Sequence, residues 1–207
     1  LSVDVIAGGW PCQDISVAGN QAGLKGQNSG LFYAFLDAAE KVGASTIIAE
    51  NVPNLLRLDQ GLVFTSILAE FQKRGYRFCS WRTLNARQFG LPHHRNRIFF
   101  IASDSKDIVS TIHRRLPKQR NEKAKKTVAG FYWTAGSQSI CYSLGYVPTI
   151  KVGSSLTISS PPAIHYESTV RLLTPKEALR LQGFHLKHFK HVADNVIYQM
   201  VGNAVAR

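Results

Sequence analysis

The sequence predicts an α/β domain built on a largely parallel sheet, interrupted by a small, irregular, β-leaning insert. Three observations predict it. Short apolar runs alternate with amphipathic helical stretches over the first hundred residues. A 44% hydrophobic and 10% aromatic content is enough to bury a real core in a chain of 207 residues. Two reactive side chains, Cys12 and Glu50, fall at or just beyond the ends of predicted strands, where ligands gather in open α/β sheets.

The elements follow in order. Residues 2–7 form a short apolar run closed by Gly8-Gly9, which suits a buried strand ending in a tight turn. Residues 8–30 are rich in Gly, Asn, Gln and Ser with little periodicity, a long loop of the kind that carries function. Over 31–42, Leu31, Phe35, Ala38, Ala39 and Val42 share one helical face. A strand over 46–50 runs into the turn Asn51-Val52-Pro53-Asn54. A helix over 62–74 carries Leu62, Ile67, Leu68 and Phe71 on its apolar face and stops at Gly75. Residues 76–84 and 97–102 read as further strands.

After Ser103 the texture changes. Residues 113–126 hold seven Lys/Arg and a single Glu, and 131–160 are rich in Ser, Gly, Thr, Tyr and Ile without a helical period. Order returns at Arg171. Thr174-Pro175-Lys176-Glu177 is a capping box with proline at the first helical position, and Gly183 stops that helix. Asp194 or Asn195 is placed to cap a final helix, which the pattern carries through 202–207. The expected organisation is a catalytic α/β domain over 1–103, an insert over 104–167, and helices over 168–207 returning to the first domain.

Charge narrows the partner. With 25 Lys+Arg against 13 Asp+Glu, the formal net charge of +12 favours a polyanion, DNA or RNA ahead of an acidic membrane surface. No apolar run reaches the roughly 18–20 residues needed to span a bilayer. Cys12, Cys79 and Cys141 have neither disulfide nor zinc spacing, which suits a reduced, intracellular protein. The chain begins at Leu1 and its sole methionine is Met200, so the expectation is a fragment or one piece of a split protein.

The strongest local signal is Gly8-Gly9-Trp10-Pro11-Cys12-Gln13. A cysteine after a strand, in a glycine turn, is open to approach and near backbone N–H groups that favour its thiolate. Taken alone it is more often an inert small hydrophobe, and Glu50 alone is equally a strand-end cap. Arg95 and Arg97 lie two apart in an extended segment before a strand, on one side, suited to a phosphate or a carbonyl oxygen. The adjacent His93 and His94 lack a third ligand, so no metal is expected.

In this order the segments resemble the cytosine-5 DNA methyltransferases of bacterial and phage restriction–modification systems. Gly8-Gly9-Trp10-Pro11-Cys12-Gln13 with Ser16, Gly19, Gly23 and Gly30 looks like the catalytic-loop motif of that family. Glu50-Asn51-Val52 looks like its E-N-V motif, and Arg95-x-Arg97 like its Q-x-R-x-R motif, with His93 at the glutamine position. Arg171-Leu172-Leu173-Thr174-Pro175 through Gln182-Gly183-Phe184 resembles the motif after the target-recognition region, and Tyr198-Gln199 with Gly202-Asn203-Ala204-Val205 the last motif.

The resemblance implies a partial Rossmann-like, S-adenosylmethionine-dependent methyltransferase sheet plus a target-recognition region. It implies Cys12 as the nucleophile, adding to carbon 6 of a cytosine flipped out of duplex DNA. Glu50, kept protonated by its site, would donate at N3; Arg97 would hold the base oxygen and Arg95 would support the loop or the backbone. Pro11, Asn203, Ala204 and Val205 would hold the cofactor. Gln13, Ser16, Lys123, Lys125 and Lys126 would meet the DNA. Because this family opens with a glycine-bearing cofactor segment not found before Leu1, the further expectation is negligible activity from this chain alone, with an N-terminal companion polypeptide supplying the rest. The competing reading is a catalytically silent DNA-binding subunit or remnant. A cytoplasmic location, in a bacterial or phage-infected cell, goes with either.

Overall fold

A computed structural model describes residues 2–10, 30–114, 128–132, 142–151 and 162–207. The chain divides into two compact units, Leu1–Leu84 with Asn96–Arg115, and Asn85–Arg95 with Leu116–Arg207. It enters the second unit for 85–95, returns to the first for one strand and a short helix, and finishes in the second.

The first unit is a four-stranded sheet with helices. Its elements are β1 (Val5–Gly9), α1 (Gly30–Lys41), β2 (Thr46–Asn51), α2 (Leu62–Lys73), β3 (Phe78–Asn85), β4 (Asn96–Ser103) and α3 (Lys106–Ser110), with strand order β1-β2-β4-β3. β1 and β2 run parallel, as a strand–helix–strand crossover through α1 requires. β2 and β4 run antiparallel, so the sheet is mixed where the sequence pattern pointed to a largely parallel one. The reason is connective: β4 follows β3 through residues 86–95, which hold only a 3-10 turn over Ala86–Phe89 and no crossover helix.

Ile47 and Ala49 of β2, Ile98, Phe100 and Ala102 of β4, and Trp10 form the core with the buried sides of α1 and α2. The stripe of α1 is turned from the expected one. Phe32, Leu36 and Ala39 are buried while Leu31 is 55% exposed, because two interleaved i, i+4, i+7 sets are present and packing selects one. Phe35 still reaches the sheet, and a Cβ on Gly8 would lie 2.7 Å from its ring. In α2, Leu62 is likewise exposed, and Val63 and Phe64 are buried with Ile67 and Phe71.

The second unit holds β5 (Val128–Phe131), β6 (Tyr142–Leu144), β7 (Ala163–Tyr166) and β8 (Thr169–Leu172), an antiparallel sheet of order β6-β5-β7-β8. Where the composition suggested irregular structure, the described residues of the insert thus form a regular sheet. Gly130 in β5 is dictated by close approach: a side chain there would begin 2.6 Å from the Val147 Cα. Helices α4 (Pro175–Leu181) and α5 (Asp194–Asn203) follow, and Ala178, Leu179, Ile197 and Val201 pack with Ile150. Leu181 also packs against Val147, Ile164 and Leu173. The helices of 168–207 share a unit with the insert's sheet.

The α4 cap is the expected box. The Thr174 hydroxyl accepts from the Glu177 N–H at 3.3 Å and the Glu177 carboxylate accepts from the Thr174 N–H at 2.9 Å, with Pro175 in the first turn. Gly183 follows at φ +80°. At α5 the cap position belongs to Ala193, so Asp194 is the first helical residue, where its charge still suits the positive end of the helix dipole. That helix stops at Asn203 instead of continuing, since Ala204 is extended at φ −67°, ψ 151°.

Arg171 adds a bidentate pair to the cap, with N–O distances of 2.8 and 2.7 Å to Glu177. This pair first, and the Thr174 contacts after it, hold the Glu177 carboxyl down at about 2 from an ordinary 4.5. A depressed folded-state pKa stabilises the fold above the unfolded value and is lost as pH falls through the folded one. Because both side chains remain partly exposed, Glu177→Gln is expected to cost only roughly 1 kcal/mol at pH 7. Denaturation midpoints of parent and variant should converge between pH 4.5 and 2; a gap that persists at pH 2 would remove the linkage.

Candidate active site

The first unit's candidate residues are set by strand register. In the parallel β1–β2 pair Gly9 lies opposite Glu50, and in the antiparallel β2–β4 pair Glu50 lies opposite Phe99. Side chains two apart on a strand share a face, so Arg97 sits diagonally across from Glu50 on the same side. Arg97 Nε meets Glu50 Oε1 at 2.8 Å, with the two side chains 14% and 16% exposed. Burial lowers the Arg97 pKa from its ordinary value, and the Glu50 carboxylate restores part of it; a guanidinium so placed remains a cation. Gly9 is what lets the carboxylate lie here. A Cβ at Gly9 would fall 2.8 Å from the Glu50 carbonyl oxygen and 3.2 Å from Oε2.

Asn51, the next residue, points to the opposite face and is buried. Its Nδ2 donates to the Trp10 carbonyl at 3.0 Å, and its Oδ1 accepts from the Val52 N–H at 2.8 Å. The Trp10 indole packs on Phe32 at 4.8 Å between ring centroids and stacks on Phe100 at 6.4 Å. The backbone leaving β1 is thereby fixed through Trp10. Cys12, Pro11, Gln13 and Ser16 lie outside the described residues, as do Lys123, Lys125 and Lys126.

Arg95 belongs to the second unit and differs from Arg97. It is 2% exposed, and its guanidinium donates to the carbonyls of Ile150 (3.4 Å), Gly202 (3.1 Å) and Ala204 (2.6 Å). Arg97 thus pairs with a carboxylate in the first unit and Arg95 binds backbone in the second. His93 is fully buried and its Nε2 accepts from the Ile150 N–H at 3.1 Å, which assigns any ring N–H to Nδ1. Asn203 and Val205 present exposed side chains beyond Arg95's carbonyl partners, while Ala204 is half-buried.

Two contributions escaped sequence reading. Asn51 was visible as part of the E-N-V string, yet its bond to Trp10 depends on strand pairing. Gln182 was visible in Gln182-Gly183-Phe184, yet its complete burial and its 2.6 Å bond to the Val201 carbonyl come from helix packing. Cys79 is the described cysteine, and burial pushes its thiol up to about 12, which makes it a poor nucleophile at neutral pH. Among the described residues no three His, Cys, Asp or Glu side chains gather as a metal-binding group, and no helix is long and apolar enough to cross a membrane.

Comparison with known proteins reaches almost every residue. Residues 1–137 and 134–207 match the model of the C-5 cytosine-specific DNA methylase family. The type II methyltransferase M2.BsuMI of Bacillus subtilis (strain 168) is 35% identical over 99% of this chain. M1.ScrFI of Lactococcus lactis subsp. cremoris, another type II methyltransferase, is 29% identical over 98% of it. The chain spans 57% and 59% of the lengths of those two proteins. In fold it is similar to the Dnmt2 methyltransferase of S. pombe, with a TM-score of 0.66 at 16% identity over 98% of this chain and 74% of that one.

The Gly9–Glu50 register makes a mutational prediction. Gly9→Ala forces a Cβ against the Glu50 backbone and is expected to destabilise the protein by about 1–3 kcal/mol. A denaturation midpoint indistinguishable from the parent's would mean that the strands are not paired this closely.

Proposed function

This chain belongs to the C-5 cytosine-specific DNA methylase family, and we propose that it transfers a methyl group from S-adenosylmethionine to carbon 5 of a cytosine flipped out of duplex DNA. The observation that carries the reading is the ion pair of Glu50 and Arg97 on the sheet face beside Gly9, next to the Trp10 backbone that leads into Pro11-Cys12.

Cytosine carbon 5 is a weak nucleophile until electron density is pushed into the ring. In this reading the Cys12 thiolate adds to carbon 6 and forms a covalent adduct. The charge developing on the ring is met at N3 by a proton from Glu50 and at the base oxygen by Arg97. The Arg97 cation beside Glu50 favours the charged carboxylate, so in this reading Glu50 takes up a proton from solvent as the base enters and passes it to N3. Asn203 and Val205 supply an amide and an exposed aliphatic side chain, a donor set that fits an amino-acid and nucleoside ligand, and with Pro11 and Ala204 they would hold the cofactor. S-adenosylmethionine, when bound, supplies the methyl group that carbon 5 takes up, after which loss of the carbon 5 proton and expulsion of Cys12 restore aromaticity. The basic run of 114–126, including Lys123, Lys125 and Lys126, would meet phosphates, and Gln13 and Ser16 the strand around the flipped base.

Methyl transfer from labelled S-adenosylmethionine to duplex DNA, negligible for this chain alone and restored when an N-terminal companion polypeptide is supplied, tests the reading. Cys12→Ser should reduce it to background and Glu50→Gln by about 100-fold or more. Full transfer by Cys12→Ser would end the assignment. Binding of the same duplex should weaken linearly in log–log salt plots. Reversing the charges of Lys123, Lys125 and Lys126 should flatten that slope by about one per lost phosphate contact; an unchanged slope would return the run to a solvated linker.

A further inference from the structure

We infer that Arg95 and Gln182 are positioning residues that hold the segment 201–207 in the form that binds the cofactor, an inference that rests on the reading that Asn203–Val205 form part of the cofactor site. A helix leaves its last carbonyls without partners in the helix. α5 ends at Asn203, and the carbonyls at and beyond its end are taken by two side chains from elsewhere in the same unit. Gln182 Nε2 takes Val201, and the Arg95 guanidinium takes Gly202 and Ala204 while a second nitrogen anchors on Ile150. The planar, multiply donating guanidinium suits three carbonyls at once, where an ammonium offers a single point. Its positive charge also lies at the negative end of the α5 dipole.

The far end of the segment is fixed through the same residue. The Arg207 N–H donates to the Gln182 carbonyl at 2.8 Å. Gly183, at φ +80°, brings backbone so close that any side chain there would collide with the Arg207 carbonyl oxygen. Residues 201–207 are therefore held at Val201, Gly202, Ala204 and Arg207, with the exposed side chains of Asn203 and Val205 between the anchors. None of this touches the reacting base. Losing an anchor should cost ordering of the segment on binding the cofactor, and so weaken the cofactor without slowing the chemical step.

Arg95→Lys and Gln182→Met, each a close match in size, test this in steady-state methyl transfer by the intact protein. The KM for S-adenosylmethionine should rise roughly 10-fold in each, with kcat and the KM for DNA within about twofold of the parent. The double variant should fall short of the product of the single effects, because both act on one segment. Hydrogen exchange of the free protein should show faster exchange at the Ala204 and Arg207 amides, with β5 and β7 unchanged. A role in general stability alone would lower the active fraction at an unchanged cofactor KM, and that result overturns the inference, as does unchanged exchange at 204–207. No methyl transfer by the parent chain even when an N-terminal companion polypeptide is supplied would overturn the activity reading, and the exchange result would still decide the clamp.

Discussion

Two consecutive residues of β2, facing opposite ways, carry the organisation of the first unit. Strand alternation sends Asn51 into the core side and Glu50 to the other. Asn51 takes the Trp10 carbonyl, a buried acceptor that would cost about 1–3 kcal/mol if orphaned. Glu50 takes Arg97. A slip of one residue in the β1–β2 register would exchange these faces, placing a carboxylate among Phe32, Phe71 and Phe100 and an amide where the charge belongs. The pairing of Gly9 with Glu50 is therefore a constraint on both stability and chemistry.

The two arginines have different partners. Arg95 and Arg97 are two apart, and an extended chain would aim both the same way. The chain passes from one unit to the other between Arg95 and Asn96, and each guanidinium has its own partners. Arg97 supplies a countercharge to a carboxylate in a nearly dry site. Arg95, still more deeply buried, satisfies backbone carbonyls and joins residues distant in sequence, Ile150 and the end of α5. Both charges are costly to bury and are retained because each is hydrogen-bonded.

What was legible in the sequence was local. The capping box at Thr174–Glu177 and the stop at Gly183 are readable because cap chemistry acts within one turn. Glu50, Arg97 and the ordered motifs were legible as residues, and the existence of strands and helices as periodicity. What was not legible depends on contacts between distant segments. The antiparallel run of β4, the buried stripe of α1 and the end of α5 at Asn203 are each set by what the element packs against. The regular sheet of the second unit escaped for the same reason: its strands are three or four residues long and too short to show a period.

The central claim is that Cys12 forms the bond to the base. The most direct measurement is peptide mass mapping of the complex formed with duplex DNA carrying 5-fluorocytosine at the target position in the presence of S-adenosylmethionine, where the fluorine blocks the final elimination. The predicted result is a denaturation-resistant complex with the modified base attached to the peptide containing Cys12. Attachment at Cys79 or Cys141, or methylated product with no covalent complex at any cysteine, would contradict it.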